Sequence, residues 1–341
     1  MDYSEELKNT VQALLALGKG ILAADESLKS IGKKLTEAGV ADTPDNHRAY
    51  RELFFTTPGV SQYISGVILF DETIRQLSST GVPLIKILLD QGIVPGIKVD
   101  TGIEPMPDSV EEKITQGIDT LPSRLPEYYK MGARFAKWRA VFTIGKGIPT
   151  QMCVDANAEL LAEYALLCQQ NGLVPIVEPE VLMDGDHGID QCEEVTLNVL
   201  KTVFAKLRDK GVMLEGILLK PNMVCPGTLA PVQSTPEQVA AATAEVLLKV
   251  VPPQVPGIVF LSGGQSEERA TLELNLIAKL HENYPWQITF SYGRALENSA
   301  LKVWQGGLAN VPAAQKVFLH RAKMNSLARD GKYELKLEKG I

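Results

Sequence analysis

Cysteine is scarce in these 341 residues, and the four present (Cys153, Cys168, Cys192 and Cys225) include no CxxC pair. That scatter excludes a disulfide framework and reads as reduced thiols in a cytoplasmic protein. Histidine is equally sparse: His47, His187, His281 and His320 show neither HxH nor HExxH spacing. Zinc usually needs several His or Cys ligands together, so neither a metal nor another cofactor is expected. No apolar run approaches the roughly 20 residues that cross a bilayer. The opening decapeptide MDYSEELKNT is acidic and polar, unlike a secretory signal or a transit peptide. An excess of positive charge is missing too. A net charge of −7 gives no general attraction for nucleic acid or an acidic membrane, so any cationic site for an anionic ligand has to be local.

What is present is the balance of a folded soluble chain, 45% apolar and 22% charged, arranged with a regular rhythm. Eight short β-rich runs recur: GKGILAADE (18–26), GVILFDET (66–73), VPGIKVD (94–100), RFAKWRAVF (134–142), LVPIVEPEV (173–181), LEGILLKPN (214–222), GIVFLSGG (257–264) and QITFSYGR (287–294). Helical periodicity fills the gaps, as in the stripes Val195–Val199–Val203–Leu207 and Leu161–Ala165–Cys168. Thr43-Pro44 and Thr235-Pro236 each set an N-cap residue before a first-turn proline. Strands alternating with helices imply parallel pairing, and eight such units suit a closed barrel better than an open sheet. No Gly/Ser-rich or low-complexity linker divides residues 1–341. The expectation is therefore one domain, a (β/α)8 TIM barrel, with additional N- and C-terminal helices laid against it.

The polar residues gather at the ends of these runs: Asp25, Asp71-Glu72, Lys98 and Asp100, Lys137 and Arg139, Glu178 and Glu180, Lys220 and Asn222, Ser262-Gly263-Gly264, and Gly293-Arg294. In a β/α barrel the C-terminal strand ends form the active-site face. A lone charge there is ordinarily a solvated lip residue; several strands repeating the pattern point to an enzyme. Lys220 ends an apolar run, where desolvation favours the neutral amine, and a second cation, Lys137, would push the same way. A neutral amine attacks a ketone and forms an imine, an electron sink for the adjacent bond. The alternative is a lysine snorkelling to the rim. Glu178 and Glu180 share a face of one strand, where crowding would raise one carboxyl toward neutrality for proton transfer; salt bridges to Lys137 or Arg139 are the other reading, and the two can hold together. Asp25 is placed to accept a proton from a substrate hydroxyl, although AADES also reads as a turn.

Two segments suggest phosphate binding. Ser262-Gly263-Gly264 and Ser291-Tyr292-Gly293-Arg294 are each a strand end, a glycine turn and a helix start. Such a turn presents backbone N–H groups and the positive end of the helix dipole to an anion. They follow the seventh and eighth strands, where barrels commonly hold phosphate. Ser27, Ser30, Lys34 and Lys98 are candidates for a second phosphate across the mouth.

The text GKGILAADES, GIKVD, FAKWR, VPIVEPE, LLKPNMV, FLSGGQSEE and FSYGRAL resembles class I fructose-bisphosphate aldolase, over about residues 4–333. The resemblance implies metal-independent, reversible cleavage of fructose 1,6-bisphosphate to dihydroxyacetone phosphate and glyceraldehyde 3-phosphate. It implies Lys220 as the Schiff-base lysine, Glu178 as general acid/base for dehydration, Asp25 at the substrate C4 hydroxyl and Lys137 beside the nucleophile. Ser262, Gly263, Gly293 and Arg294 match one phosphate site. Lys98, Ser27 and Ser30 match groups near the other, while Arg139 and Glu180 match supporting charges. Sedoheptulose 1,7-bisphosphate is a related substrate for the same chemistry. The family is generally a homotetramer, so a homo-oligomer is expected, with a small-molecule sugar bisphosphate as ligand and neither nucleic acid nor membrane as partner. Two departures stand out. Where animal enzymes read IAKRL, this chain reads IGKKL, placing Lys34 where an arginine serves phosphate; lysine keeps the charge and loses the planar fork. Animal chains also continue to a tail tyrosine, whereas this sequence ends GKYELKLEKGI; either another group or water completes the late proton transfer at C3, or a longer chain supplies the tail.

Overall fold

The computed structural model describes residues 2–107, 109–280 and 284–339; His281 lies outside them. Among the described residues ten strands form, in chain order β1 Gly20–Ala24, β2 Ile64–Leu69, β3 Val94–Lys98, β4 Ile103–Met106, β5 Ser109–Thr115, β6 Phe135–Phe142, β7 Val174–Val181, β8 Leu218–Leu219, β9 Gly257–Phe260 and β10 Gln287–Tyr292. Eight of them close a parallel barrel in the order β1-β10-β9-β8-β7-β6-β3-β2. All eight anticipated runs are barrel strands. The closure that periodicity alone did not prove is made by β1, which pairs with both β10 and β2.

The helices form where their signals stood. Thr43 accepts from the Asn46 N–H at the start of Pro44–Phe55, and Thr235 completes a capping box with Gln238 at the start of Pro236–Val250; each such cap contributes about 1 kcal/mol. Val199, Val203 and Leu207 are buried along Ile189–Asp209, and Leu161, Ala165 and Cys168 along Gln151–Gln170. Three features differ from expectation. An antiparallel hairpin, β4–β5, follows β3; its charged text (Glu104, Glu111, Glu112, Lys113) hid the strands. Asp71-Glu72 open a short helix, Asp71–Arg75, instead of ending β2. The sixth barrel strand, β8, is only two residues long, because a 3-10 turn, Leu214–Gly216, precedes it. Its line continues through the Lys220 N–H, which donates to the Val177 carbonyl at 2.8 Å.

The N-terminal helix Ser4–Leu14 does more than lie against the barrel. Its Leu7, Val11 and Leu14, with Leu15, share one buried cluster with Ile21, Ala23, Ile68, Phe135, Val174, Ile176, Leu218 and Val259, which come from the strands. The helix thus closes the N-terminal end of the barrel. Room for it comes from missing side chains: a Cβ at Gly66 would stand 2.5 Å from Leu14 and one at Gly257 2.4 Å from Leu15, far inside ordinary contact. Each Leu or Val taken out of water there contributes about 1.5–3 kcal/mol. The result is a packed floor on which the polar layer rests.

Candidate active site

Side chains two apart share a face, so the residues after that floor are fixed by parity. Ile21–Ala23 lead to Asp25, Phe135 to Lys137 and Arg139, Val174–Ile176 to Glu178 and Glu180, and Leu218 to Lys220. Apolar first and ionised above, these rows open into a cavity of about 1400 Å³ at the C-terminal ends of the strands. Its lining includes Asp25, Lys137, Glu178 and Lys220, and also Ser27, Ser30, Lys34, Lys98, Arg139, Glu180, Ser262, Gly263, Ser291, Gly293 and Arg294. The structure therefore gathers nearly every anticipated side chain at one mouth. Gly264 is the exception. It does not line the cavity, and a Cβ there would face Met183 and Thr228, because the turn at Gly263, with φ +54°, directs the next residue away.

At the centre four charges alternate. The Lys137 ammonium stands 2.6 Å from Asp25 Oδ2 and 3.4 Å from Glu178 Oε2, and Lys220 Nζ stands 3.1 Å from Glu178 Oε1. Lys137, Glu178 and Lys220 are all buried. Burial opposes ionisation of Glu178, yet Lys220, Lys137 and Arg139 outweigh it and hold the carboxyl below its ordinary range. Burial likewise opposes the charge on Asp25, and Lys137, Lys220 and Lys98 overcome it. Lys137 keeps its proton against burial through Asp25, Glu178 and Asp100. Two expectations are corrected here. Glu178 and Glu180 do not crowd each other toward neutrality, since Arg139 Nε pairs with Glu180 while the two lysines take Glu178. Nor does Lys137 act on Lys220 as a bare cation, because two carboxylates balance it. Lys98 is bound by the Asp100 side chain and carbonyl.

Around this quartet stand the anion-binding candidates. Ser27 caps the helix Leu28–Glu37, accepting from the Ser30 N–H, and its hydroxyl is 3.0 Å from that of Ser30. Arg294 begins the helix Arg294–Trp304 with Gly293 as its N-cap, and its guanidinium donates to the Gly263 carbonyl, tying the ends of β9 and β10 together. The Ser291 hydroxyl is buried at the mouth without a hydrogen-bond partner among the described residues. Lys34 departs from the simple phosphate role, for its ammonium is already held by Glu26 at 2.8 Å and Glu297 at 2.5 Å. Sequence reasoning placed Asp100 at a strand end without giving it a role, and it missed Glu26 and Glu297. Glu26 and Asp100 carried a signal, as neighbours of residues already singled out; Glu297 lies 263 positions from its partner and carried none.

Comparison with known proteins agrees with this fold. Residues 6–340 match the family model described as fructose-bisphosphate aldolase class-I. The cytosolic fructose-bisphosphate aldolase 5 of Arabidopsis thaliana is 53% identical, the match covering 97% of this chain and 92% of that one. The muscle-type fructose-bisphosphate aldolase of Lethenteron camtschaticum is 51% identical, with 98% and 92% covered. The aldolase of Plasmodium falciparum, solved in complex with TRAP and a small-molecule inhibitor, superposes with a TM-score of 0.96 at 51% identity, covering 98% of this chain and 96% of that one. A TIM barrel that matches the family model and these relatives over nearly its whole length, this chain belongs to the class I fructose-bisphosphate aldolase family.

Proposed function

We propose that this chain reversibly cleaves fructose 1,6-bisphosphate to dihydroxyacetone phosphate and glyceraldehyde 3-phosphate through an imine on Lys220, without a metal. The observation that carries the reading is the buried Lys220 amine 3.1 Å from Glu178, on the same carboxylate that meets Lys137. Transfer of a proton from Lys220 to Glu178 yields the amine nucleophile and a general acid within direct reach. The amine adds to the C2 ketone. Glu178 returns the proton to the carbinolamine oxygen, and water departs to leave a protonated imine. Asp25 then takes the C4 hydroxyl proton, and the C3–C4 electron pair flows into the imine, releasing glyceraldehyde 3-phosphate. The remaining enamine is protonated at C3 and hydrolysed, restoring the amine. Lys137 keeps Asp25 ionised for its step. Ser262, Gly263, Ser291, Gly293 and Arg294 would hold one phosphate, and Ser27, Ser30 and Lys98 the other, with Arg139 and Glu180 supporting the wall between them. Holding both ends of the sugar places C2 against the amine, the greatest help remote binding gives.

We also propose a single domain, a cytoplasmic location and a homotetramer. The Arabidopsis relative is named cytosolic, and among the described residues no helix is long and apolar enough to cross a membrane. Sedimentation velocity at micromolar concentration reads the tetramer directly. For the chemistry, the test is borohydride reduction in the presence of fructose 1,6-bisphosphate, followed by mass spectrometry. The label is expected on Lys220 and absent from Lys220→Met, whose cleavage should fall to background. Activity surviving exhaustive chelation is the second expectation; activity lost and restored by zinc would defeat the proposal.

A further inference from the structure

Behind Ser27 and Ser30 lies a second cluster of charges that imine chemistry does not use. Lys34, from the helix Leu28–Glu37, reaches Glu26 Oε1 at 2.8 Å and Glu297 Oε2 at 2.5 Å. Arg51 Nη2 stands 3.1 Å from Glu26 Oε2, and the Tyr50 hydroxyl donates to Glu297 Oε2 at 3.3 Å. Those four groups, from the β1 end and the helices Leu28–Glu37 and Pro44–Phe55, are charged or titratable partners of Glu297 among the described residues. Glu297 itself is fully buried, and its Oε1 has no hydrogen-bond partner among the described residues. Lys34, in contrast, lines the cavity beside Ser27 and Ser30. Its ammonium therefore has substrate space on one side and two carboxylates on the other. Glu297 also backs the opposite phosphate candidate, for a Cβ at Gly293 would lie 3.8 Å from its Oε2.

The charge count decides what this cluster offers. With both carboxylates ionised, Lys34 and Arg51 are fully compensated, and a phosphate at Ser27–Ser30 gains little from Lys34. With Glu297 protonated the cluster carries one net positive charge, and Lys34 is free to turn toward the mouth. Burial and the charge of Glu26 favour that neutral form over the pull of Lys34 and Arg51, raising the Glu297 carboxyl to about 8.

We propose that Glu297 is a positioning residue that withholds Lys34 from substrate phosphate when ionised and releases it when protonated, so that binding a sugar bisphosphate takes up a proton from solvent. Lys34 keeps its own charge throughout; it exchanges a carboxylate partner for a phosphate oxygen, and the proton comes to rest on Glu297. The inference depends on the mouth being the sugar-bisphosphate site. Linkage then sets the size of the effect. KM should rise about tenfold between pH 7 and pH 9, as the binding-competent protonated form is depleted. The second ionisation of a phosphate monoester, near pH 6, lies below that window and does not contribute.

The test is titration calorimetry of the wild-type protein with hexitol 1,6-bisphosphate, which has no carbonyl and forms no imine, in two buffers of different ionisation enthalpy. Uptake should approach one proton per site at about pH 9 and fall toward zero at pH 7. Glu297→Gln should abolish the uptake and hold KM within about twofold across the same range; loss of packing alone would not flatten a pH profile. Binding at pH 9 with no proton uptake overturns the inference, as does a Glu297→Gln variant that keeps the tenfold rise. The wild-type calorimetry decides even where the variant does not fold. Borohydride labelling of Lys220 in the same preparation separates the two readings: label without proton uptake sinks only the role of Glu297, whereas neither label nor hexitol binding sinks the site as well.

Discussion

Replacing Glu178 with glutamine probes the centre of the site with little change of shape. The carboxylate meets Lys220 at 3.1 Å and Lys137 at 3.4 Å, distances at or just beyond direct proton transfer. Gln fills the same volume but neither accepts the amine proton nor returns it to the carbinolamine. General acid–base assistance contributes typically 10²–10⁴-fold, or roughly 3–5 kcal/mol at 1.36 kcal/mol per decade. The variant also turns a balanced quartet, two carboxylates and two ammonium groups, into one with an excess positive charge. Lys137 still has Asp25 at 2.6 Å, so the barrel should fold. We expect kcat for fructose 1,6-bisphosphate to fall about 10²–10⁴-fold, with KM changing far less because the phosphate-binding candidates are untouched. Borohydride labelling of Lys220 should slow by a similar factor and still reach completion. Stopped-flow cleavage assays beside timed labelling give both numbers. A variant that keeps kcat within about threefold of wild type, under half a decade on the same scale, would refute the assignment of dehydration to Glu178.

Two further outcomes follow from the geometry. Gly293→Ala would set a Cβ 2.8 Å from the Ala23 carbonyl oxygen, overpacking that costs about 1–3 kcal/mol; a lower urea midpoint with a raised KM checks it, and an unchanged midpoint would contradict the close approach. Asp25 and Glu178 are both held below their ordinary values, 3.8 and 4.5. Depressed carboxyls add stability that is fully present above the unfolded values and is lost as pH falls through the folded ones. Calorimetric Tm should therefore hold steady down to about pH 5 and drop below it, with Asp25→Asn showing a shallower drop; an equal slope in the variant would defeat the argument.

Much of the molecule was written locally. The alternation of apolar runs with helical stripes encodes parallel β/α units, because each element buries one face at its own period. Charge or glycine at or near the end of nearly every run located the mouth, and parity along a strand paired Lys137 with Arg139 and Glu178 with Glu180. The floor of the barrel was not legible. Gly66 and Gly257 make space for Leu14 and Leu15, a fit between segments far apart in the chain that leaves no periodic trace. The hairpin β4–β5 was hidden for the opposite reason, since its exposed, charged face imitates a loop.

Charge state belonged to the tertiary structure alone. In the sequence, Lys34 read as a cation ready for phosphate and Glu178 as a carboxyl crowded by Glu180. In the fold, Lys34 meets Glu297 across 263 positions, and Glu178 sits between two lysines supplied by neighbouring strands. Coulomb energy in a poorly solvated interior depends on separations of a few ångströms, and closure of the barrel sets those separations, whichever residues stand side by side in the chain. Residue type and strand parity thus determined which charged groups the mouth would hold, and the packing of distant segments decided which of them are paired.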